Sequence, residues 1–598
     1  MKLYLHTLKN GTAVKQVQTL PPFTQTYDVC VCGLGTAGTM AAIAAARQGA
    51  SVLGVERLPG MGGTATYGCV WDYFYGADGG AYQALNDAAW DLEEQTGIAP
   101  CEPHGVRNRC ISGFAKEQVS EQAALAAGCT LWYESVVCGV YTDEAEKICG
   151  VVVLREGKTD SVGVKELLDC TGEVLLCRMM GARIVSGRAG DGRQMQFSRT
   201  SAVLDHHLAR GVWTFCGYSD VLYGADYSAA LLRAACKPPF LRAHYTEKDR
   251  MIYEGAIVGS RESLRIVPKE PVTLEGFLQG DKTSQPLAYS FGPLDNPNHE
   301  YAKESAAHLD WVMLWDFTNC GFSFGVPLGM CVPTDSAGDP IDHLLVAGKG
   351  VGVDHDLASN YRMRKDFEKL GEALGIISAL AAQKGTTPSE VPYATYAPLL
   401  RASGCLQEKN HRALCDLRNF ENGDYAPYAF PHTEEEAKAL LQGVNSGVAY
   451  YQIAQDARHK TKDWTPCLRN WCENASGRLQ EHAAIALGIL GDSHAAPVLR
   501  RLLQPAPVSR EAVTAAKGWA PFFTDAMRAI LLLGRLRDAE ALPLLSEIVR
   551  TRAAALVAML PQEKDYAEPG FAETLYLDLT QAAISEITTG APSFGSVK

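Results

Sequence analysis

The feature that most constrains this chain is a glycine turn set between an apolar strand and an alanine-rich helix. Tyr27–Cys32 is a short apolar run suited to a fully buried parallel strand. Gly33-Leu34-Gly35-Thr36-Ala37-Gly38 follows in the pattern G-x-G-x-x-G, then a helical stretch at Thr39–Gln48 and a second apolar run at Ser51–Val55. Gly33 permits the tight turn, Gly35 lets a phosphate approach the backbone, and Gly38 lets the helix pack on the strand. The helix start directs unpaired N–H groups and the positive end of its dipole at that phosphate. Glu56 ends the second strand, where a carboxylate accepts hydrogen bonds from a ribose diol. In this order the elements predict a βαβ dinucleotide site built on Gly33, Gly35, Thr36, Ala37, Gly38 and Glu56.

Bulk properties narrow the class. With 598 residues the chain has room for three or four folding units of about 150 residues each. A net charge of -13 argues against nucleic acid or an anionic membrane surface as the main partner. The N-terminus lacks a signal-like apolar core and no run of about 18 apolar residues occurs, so a cytoplasmic, non-spanning protein is expected. The 18 cysteines are scattered without any C-x-x-C pair, which predicts reduced, buried thiols and no metal centre. Cys69 and Cys331 sit near glycine loops but lack disulfide-reductase spacing.

A second glycine loop separates FAD from NAD. Arg57 follows Glu56, and Pro59-Gly60-Met61-Gly62-Gly63-Thr64 comes next, close enough to wrap the flavin side of a dinucleotide lying across the sheet. Here the chain resembles the FAD-dependent oxidoreductases of the glutathione-reductase-like fold, and more narrowly the family distantly related to fumarate reductase and succinate dehydrogenase flavoproteins. Leu168-Asp169-Cys170-Thr171-Gly172-Glu173 is similar to that family's "TGD" segment, with Glu173 in place of the usual aspartate. Gly259–Val267 is similar to its G-x-R-E-S/T-x-R-I strand, and Leu344–Gly350 to the final strand and turn that close on the flavin, with Lys349 where arginine or aspartate is more usual. The resemblance covers about residues 27–385. It implies FAD as cofactor and adds Arg57, Gly62, Gly63, Thr64, Thr171, Gly172, Gly348 and Lys349 to its ligands. No second G-x-G-x-x-G occurs between 150 and 385, so no separate NAD(P)H domain is expected.

Hydride chemistry at a flavin also needs a group that handles the proton and cations that fix the substrate. His355, between Asp354 and Asp356 just past the closing turn, is the leading acid/base candidate, and a structural histidine is the competing reading. Arg261, Arg265 and Arg362 are candidates for clamping a carboxylate or flavin carbonyl; pairing with a carboxylate such as Glu262 is the alternative. His299 and Tyr289 could line the pocket. Trp311, Trp315, Phe317, Phe322 and Phe324 form either an aromatic wall or plain core.

The expected architecture is α/β. A Rossmann-type FAD-binding domain at 27–200 and 326–385 carries an inserted α+β substrate domain at 201–325, preceded by an arm at 1–26 and followed by an all-α region at 386–598. Within that region Leu487–Leu499 and Leu533–Leu545 resemble each other at an offset of 46 residues, inside the range of HEAT-type repeats. Three functions are weighed, the first as the main reading. One is an FAD-dependent oxidoreductase acting on a CH–OH or CH–CH unit of a small, sugar-like or carboxylate-bearing molecule, with a second substrate or redox partner for the electrons. Another is a flavin-dependent non-redox isomerase or hydratase. The third is a flavin-fold scaffold that binds a protein through its helices. Homo-oligomerisation is left open.

Overall fold

In the computed structural model, nine strands form one mixed sheet whose parallel part carries the motifs. The structure describes residues 2–18, 23–97, 110–205, 208–215, 218–220, 222–235, 250–296, 301–315, 320–417, 425–503, 523–558 and 569–591. The first eight strands are β1 (Leu3–Lys9), β2 (Thr12–Gln18), β3 (Gln25–Cys32), β4 (Val52–Val55), β5 (Thr130–Trp132), β6 (Val136–Thr142), β7 (Ile148–Arg155) and β8 (Lys158–Asp169). They run in the order β2-β1-β6-β7-β8-β3-β4-β5. β8 changes neighbours along its length. Its first half pairs antiparallel with β7, while Leu167–Asp169 pairs parallel with the strand Leu344–Val346. β3, β4, β5 and the end of β8 therefore form a parallel block, in which Val29–Cys32, Val52–Val55 and the end of β8 are buried on both faces as their continuous apolar runs require. The hairpin β1–β2 is no free arm, because Tyr4–His6 pairs with β6 and extends the sheet.

By Cα proximity the chain divides into two units: Met1–Gly187 with Gly192–Gly292 and Ser323–Arg412, and Arg188–Asp191 with Pro293–Phe322 and Ala413–Lys598. The segment read from sequence as one insert at 201–325 is thus shared between them.

In the first unit, helix α1 (Thr36–Arg47) lies against the helix Arg364–Lys384 with backbone almost touching backbone. A Cβ on Gly371 would lie 2.0 Å from the Ala37 carbonyl oxygen, and one on Gly375 would lie 2.3 Å from that of Ala41. Small residues four apart on both helices make this approach possible. The Arg364–Lys384 helix is buried along most of its length although it carries many charges, and those charges are matched. Arg364 donates to the carbonyls of Val70 (2.9 Å) and Trp71 (2.7 Å) and to the Tyr73 hydroxyl (2.8 Å). Glu368 pairs with Lys116 of the helix Gly113–Ala126 at 3.1 Å and accepts from Tyr73 at 2.9 Å. Asp366 accepts the Ala77 N–H, and Glu372 that of Ala81. Polar staples thus pin the loop 70–81, whose irregular backbone supplies no ladder to hold it. A separate three-stranded antiparallel sheet joins Ser198–Asp205, Leu208–Phe215 and Arg250–Glu254.

The second unit is mainly helical. Both copies of the internal repeat fold alike: helix Arg478–Ile489 turns into Ala496–Leu502, and Asp525–Arg535 turns into Leu542–Ala558. The aspartate at each turn meets an arginine from a helix further back, Asp492 with Arg469 of Thr465–Asn474 at 2.7 Å and Asp538 with Arg500 of Ala496–Leu502 at 2.9 Å. The α/β fold with parallel strands and an all-helical C-terminal region is the one expected from sequence. Among the described residues no helix is long and apolar enough to cross a membrane.

Candidate functional site

Four turns meet at the C-terminal ends of the parallel strands, the place where open α/β sheets take ligands. After β3, Gly33 adopts φ +87° and donates its N–H to the Val55 carbonyl at 2.8 Å. A Cβ there would stand 2.5 Å from the Cys170 carbonyl oxygen, so the turn must be glycine. A Cβ on Gly38 would be 1.9 Å from the Gly33 carbonyl oxygen, which is the helix-on-turn packing anticipated for it.

Gly35 behaves differently. It caps α1 without any side-chain hydrogen bond, and a Cβ on it would meet nothing within 4 Å. The space in front of the helix N-terminus is open, while the protein behind it is tightly packed. That combination fits a pyrophosphate lying on the first-turn N–H groups.

The second glycine loop lies directly on the first. Gly62 N–H donates to the Leu34 carbonyl at 2.8 Å, the Thr36 hydroxyl reaches the Gly62 carbonyl at 3.4 Å, and a Cβ on Gly63 would be 2.9 Å from Gly35 Cα. Thr64 is half-buried in the same loop. Glu56 is buried beside the turn and accepts the N–H groups of Leu34 (2.7 Å) and Leu58 (3.0 Å). Burial pushes its carboxyl above the ordinary range, and the Leu58 and Leu34 hydrogen bonds oppose the shift. Each oxygen keeps a lone pair for a ribose hydroxyl.

The third turn carries Thr171 and Gly172. Its buried carboxylate is Asp169, one the sequence did not single out: it accepts the Thr171 hydroxyl at 2.7 Å and the N–H groups of Leu176 and Cys177. Gly348 begins the fourth turn at φ +85°, and a Cβ on it would lie 3.9 Å from Ala37 Cβ. Lys349 donates to the Ser260 hydroxyl at 2.5 Å and carbonyl at 3.1 Å. Burial lowers its ammonium pKa, Glu173 works against that, and Arg57 adds to it. Arg57 itself is exposed.

The predicted catalytic residues separate. His355 is 5 % exposed and its Nδ1 lies 2.8 Å from Glu262 Oε2. Glu262 also accepts the Met195 N–H at 3.0 Å and faces Arg265 Nε at 3.3 Å. Arg265 is anchored by the carbonyls of Val353 (2.8 Å) and Gly187 (2.6 Å). Arg265 is thus paired within the fold, and His355 pairs with Glu262. Asp354 instead caps the helix His355–Tyr361, accepting the N–H groups of Leu357 and Leu274 at 2.8 Å each. Arg261 donates to the Gln196 carbonyl at 2.8 Å, and Arg362 is half-buried at the end of that short helix. Glu262 was visible in sequence only as an arginine partner, because nothing in the spacing from 262 to 355 announces their contact.

The aromatic residues are largely core. Trp311 packs on Phe322 at 4.6 Å and both are buried, while Phe324 packs on Tyr361 at 5.9 Å. Tyr289 stacks on His411 at 4.9 Å. His299 and Phe317 lie outside the described residues. Cys69 and Cys331 are buried thiols outside any disulfide among the described residues, and burial pushes that of Cys331 far up.

Comparison with known proteins agrees with this geometry. The family model described as FAD dependent oxidoreductase matches residues 28–242 and 231–400, and that of the PBS lyase HEAT-like repeat matches 479–505. No protein of curated function matches the sequence. Among solved structures, the 3-ketosteroid-delta4-(5alpha)-dehydrogenase from Rhodococcus jostii RHA1 is 14% identical, with 60% of this chain and 98% of that one covered at a TM-score of 0.31. The anhydrotetracycline hydroxylase OxyS from Streptomyces rimosus is 16% identical, with 63% and 68% covered at a TM-score of 0.32. A flavocytochrome c3 fumarate reductase is 14% identical, with 60% and 79% covered at a TM-score of 0.30. Since the family match spans well over half of the chain, in the segments that build the four turns, this protein belongs to the FAD dependent oxidoreductase family.

Proposed function

We propose that this oxidoreductase moves a hydride between FAD and a CH–OH or CH–CH unit of a small organic molecule, sugar-like or carboxylate-bearing. FAD, when bound, supplies the hydride acceptor or donor. The observation that carries the reading is the buried chain Arg265–Glu262–His355. A carboxylate held beside Arg265 is an acceptor only, so His355 donates from Nδ1 and the ring is fixed in orientation. Nε2 is then the nitrogen that exchanges a proton with the substrate as the hydride moves. Gly33–Gly38, Glu56, Gly62–Thr64, Thr171, Gly172 and Gly348–Lys349 hold the cofactor in this reading, and exposed Arg57 reaches toward the same edge. Arg261 and Arg362 are the cations assigned to an anionic substrate group. Electrons leave or enter through a second small molecule or a redox partner.

The test is anaerobic mixing of the FAD-loaded enzyme with a metabolite collection, read by loss of the visible flavin absorbance. Bleaching by a compound with an oxidisable C–H supports the proposal. Product formation with no change in flavin redox state at any time sinks it.

A further inference from the structure

The helical unit holds a cavity of about 270 Å³ that the flavin chemistry does not use. Trp315 and Tyr428 form one wall, and Arg478, His482, Asp525 and Arg528 line the rest together with the start of the helix Ser446–His459. The two rings are stacked, with centroids 5.0 Å apart and planes 22° from parallel. Trp315 is 5 % exposed, yet its indole N–H has no hydrogen-bond partner among the described residues.

The charges around the cavity do not cancel. His482 Nδ1 lies 2.6 Å from the Leu441 carbonyl oxygen and Nε2 lies 3.2 Å from Asp525 Oδ2. Burial raises the Asp525 pKa, but the His482 hydrogen bond and the Arg528 charge together hold it below the ordinary range. Both imidazole nitrogens therefore face oxygen atoms of the fold. Arg528 is spent on the fold, donating to the Met313 carbonyl (2.7 Å), the Phe523 carbonyl (2.6 Å) and Asp525 (3.0 Å). Arg478 is not: among the described residues its hydrogen bond is a long one of 3.5 Å to the Gly443 carbonyl, and no carboxylate of those residues meets it. Two arginines against one carboxylate, beside a helix start whose N-cap Asn445 makes no side-chain cap hydrogen bond, leave a local positive surplus on a chain of net charge -13.

We propose that this cavity binds a small single-ring organic anion, its ring against Trp315 and Tyr428 and its carboxylate toward Arg478 and the first turn of Ser446–His459. The volume lies just below that of ordinary small-molecule pockets, which sets the size at about one ring. The anion offsets the surplus charge.

The experiment is calorimetric titration of the FAD-loaded full chain at low salt with benzoate and, separately, with inorganic phosphate, while the flavin spectrum is recorded. Benzoate binds, the flavin spectrum stays unchanged, and Arg478→Glu weakens binding about tenfold or more. Arg478 is exposed at the first position of its helix, where glutamate also suits the dipole, so that variant folds. Arg478→Lys keeps part of the affinity. Equal benzoate binding by Arg478→Glu, binding that perturbs the flavin, phosphate bound as tightly as benzoate, or no benzoate heat at all each overturns the proposal.

Discussion

Glu262 accepts a hydrogen bond from His355 Nδ1 at 2.8 Å across 93 residues of chain, and both side chains are buried. If His355 handles the proton, His355→Ala retains FAD but slows flavin reduction by a good substrate about 10²-fold or more. Glu262→Gln keeps the volume and loses the anion, so it shifts the pH profile of that reduction as well as its rate. Stopped-flow measurement over a pH series checks both. An unchanged rate in His355→Ala, or a Glu262→Gln profile that overlays the wild type, returns the pair to a structural role.

Gly35 and Gly38 separate cofactor binding from folding. A Cβ on Gly35 meets no protein atom within 4 Å, whereas one on Gly38 runs into the Gly33 carbonyl. Gly35→Val therefore yields a folded, colourless protein that FAD does not reconstitute, and its circular dichroism matches the wild type. Gly38→Val yields poorly folded material because the turn itself must shift. A yellow, fully loaded Gly35→Val protein would move the pyrophosphate elsewhere.

These two glycines also show what was legible in the sequence. Gly33–Gly38 and Glu56 are local: strand, turn and helix follow one another within about thirty residues, so the physics of each position could be read directly. The closing turn was legible through its resemblance to the final strand and glycine turn of the flavoprotein family. Partners far apart in the chain were not. Nothing in the spacing tells that Lys349 reaches Ser260, that Glu262 holds His355, or that Gly371 and Gly375 lie on Ala37 and Ala41. The buried charges of Arg364–Lys384 look in sequence like a solvated helix face. Only the fold shows that they staple the loop 70–81.

Asp354 gives the stability a pH dependence with a defined sign. Burial first, and the neighbouring Asp356 second, raise its carboxyl from the ordinary 3.8 to about 7, against the pull of the Leu357 and Leu274 N–H groups and Arg265. Between those values the folded protein holds a proton that the unfolded chain has released. Its contribution is present in full below pH 3.8 and is lost as pH rises toward about 7. Asp354→Asn keeps a good helix cap and removes this titration. Denaturation midpoints at about pH 5 and about pH 8 therefore differ less in the variant than in the wild type. An identical difference in the two proteins would show that Asp354 is ionised throughout.

Lys116 and Glu368 meet at 3.1 Å and are only 4 % and 1 % exposed, so each depends on the other. Burial lowers the Lys116 ammonium pKa, and the Glu368 charge is what keeps it up. Lys116→Met strands the Glu368 carboxylate among Tyr73 and the core, at a cost of about 3–5 kcal/mol. Removing both charges in Lys116→Met with Glu368→Leu leaves Tyr73 its Asn86 partner at 3.0 Å and costs less than the single change. The same pair anchors Tyr73 in the loop 70–81, so the single variant also loosens that loop and exposes it to proteolysis before the sheet unfolds. Denaturant titration with limited proteolysis distinguishes the cases: a double variant as unstable as the sum of the singles means that the ion pair is not what holds the loop.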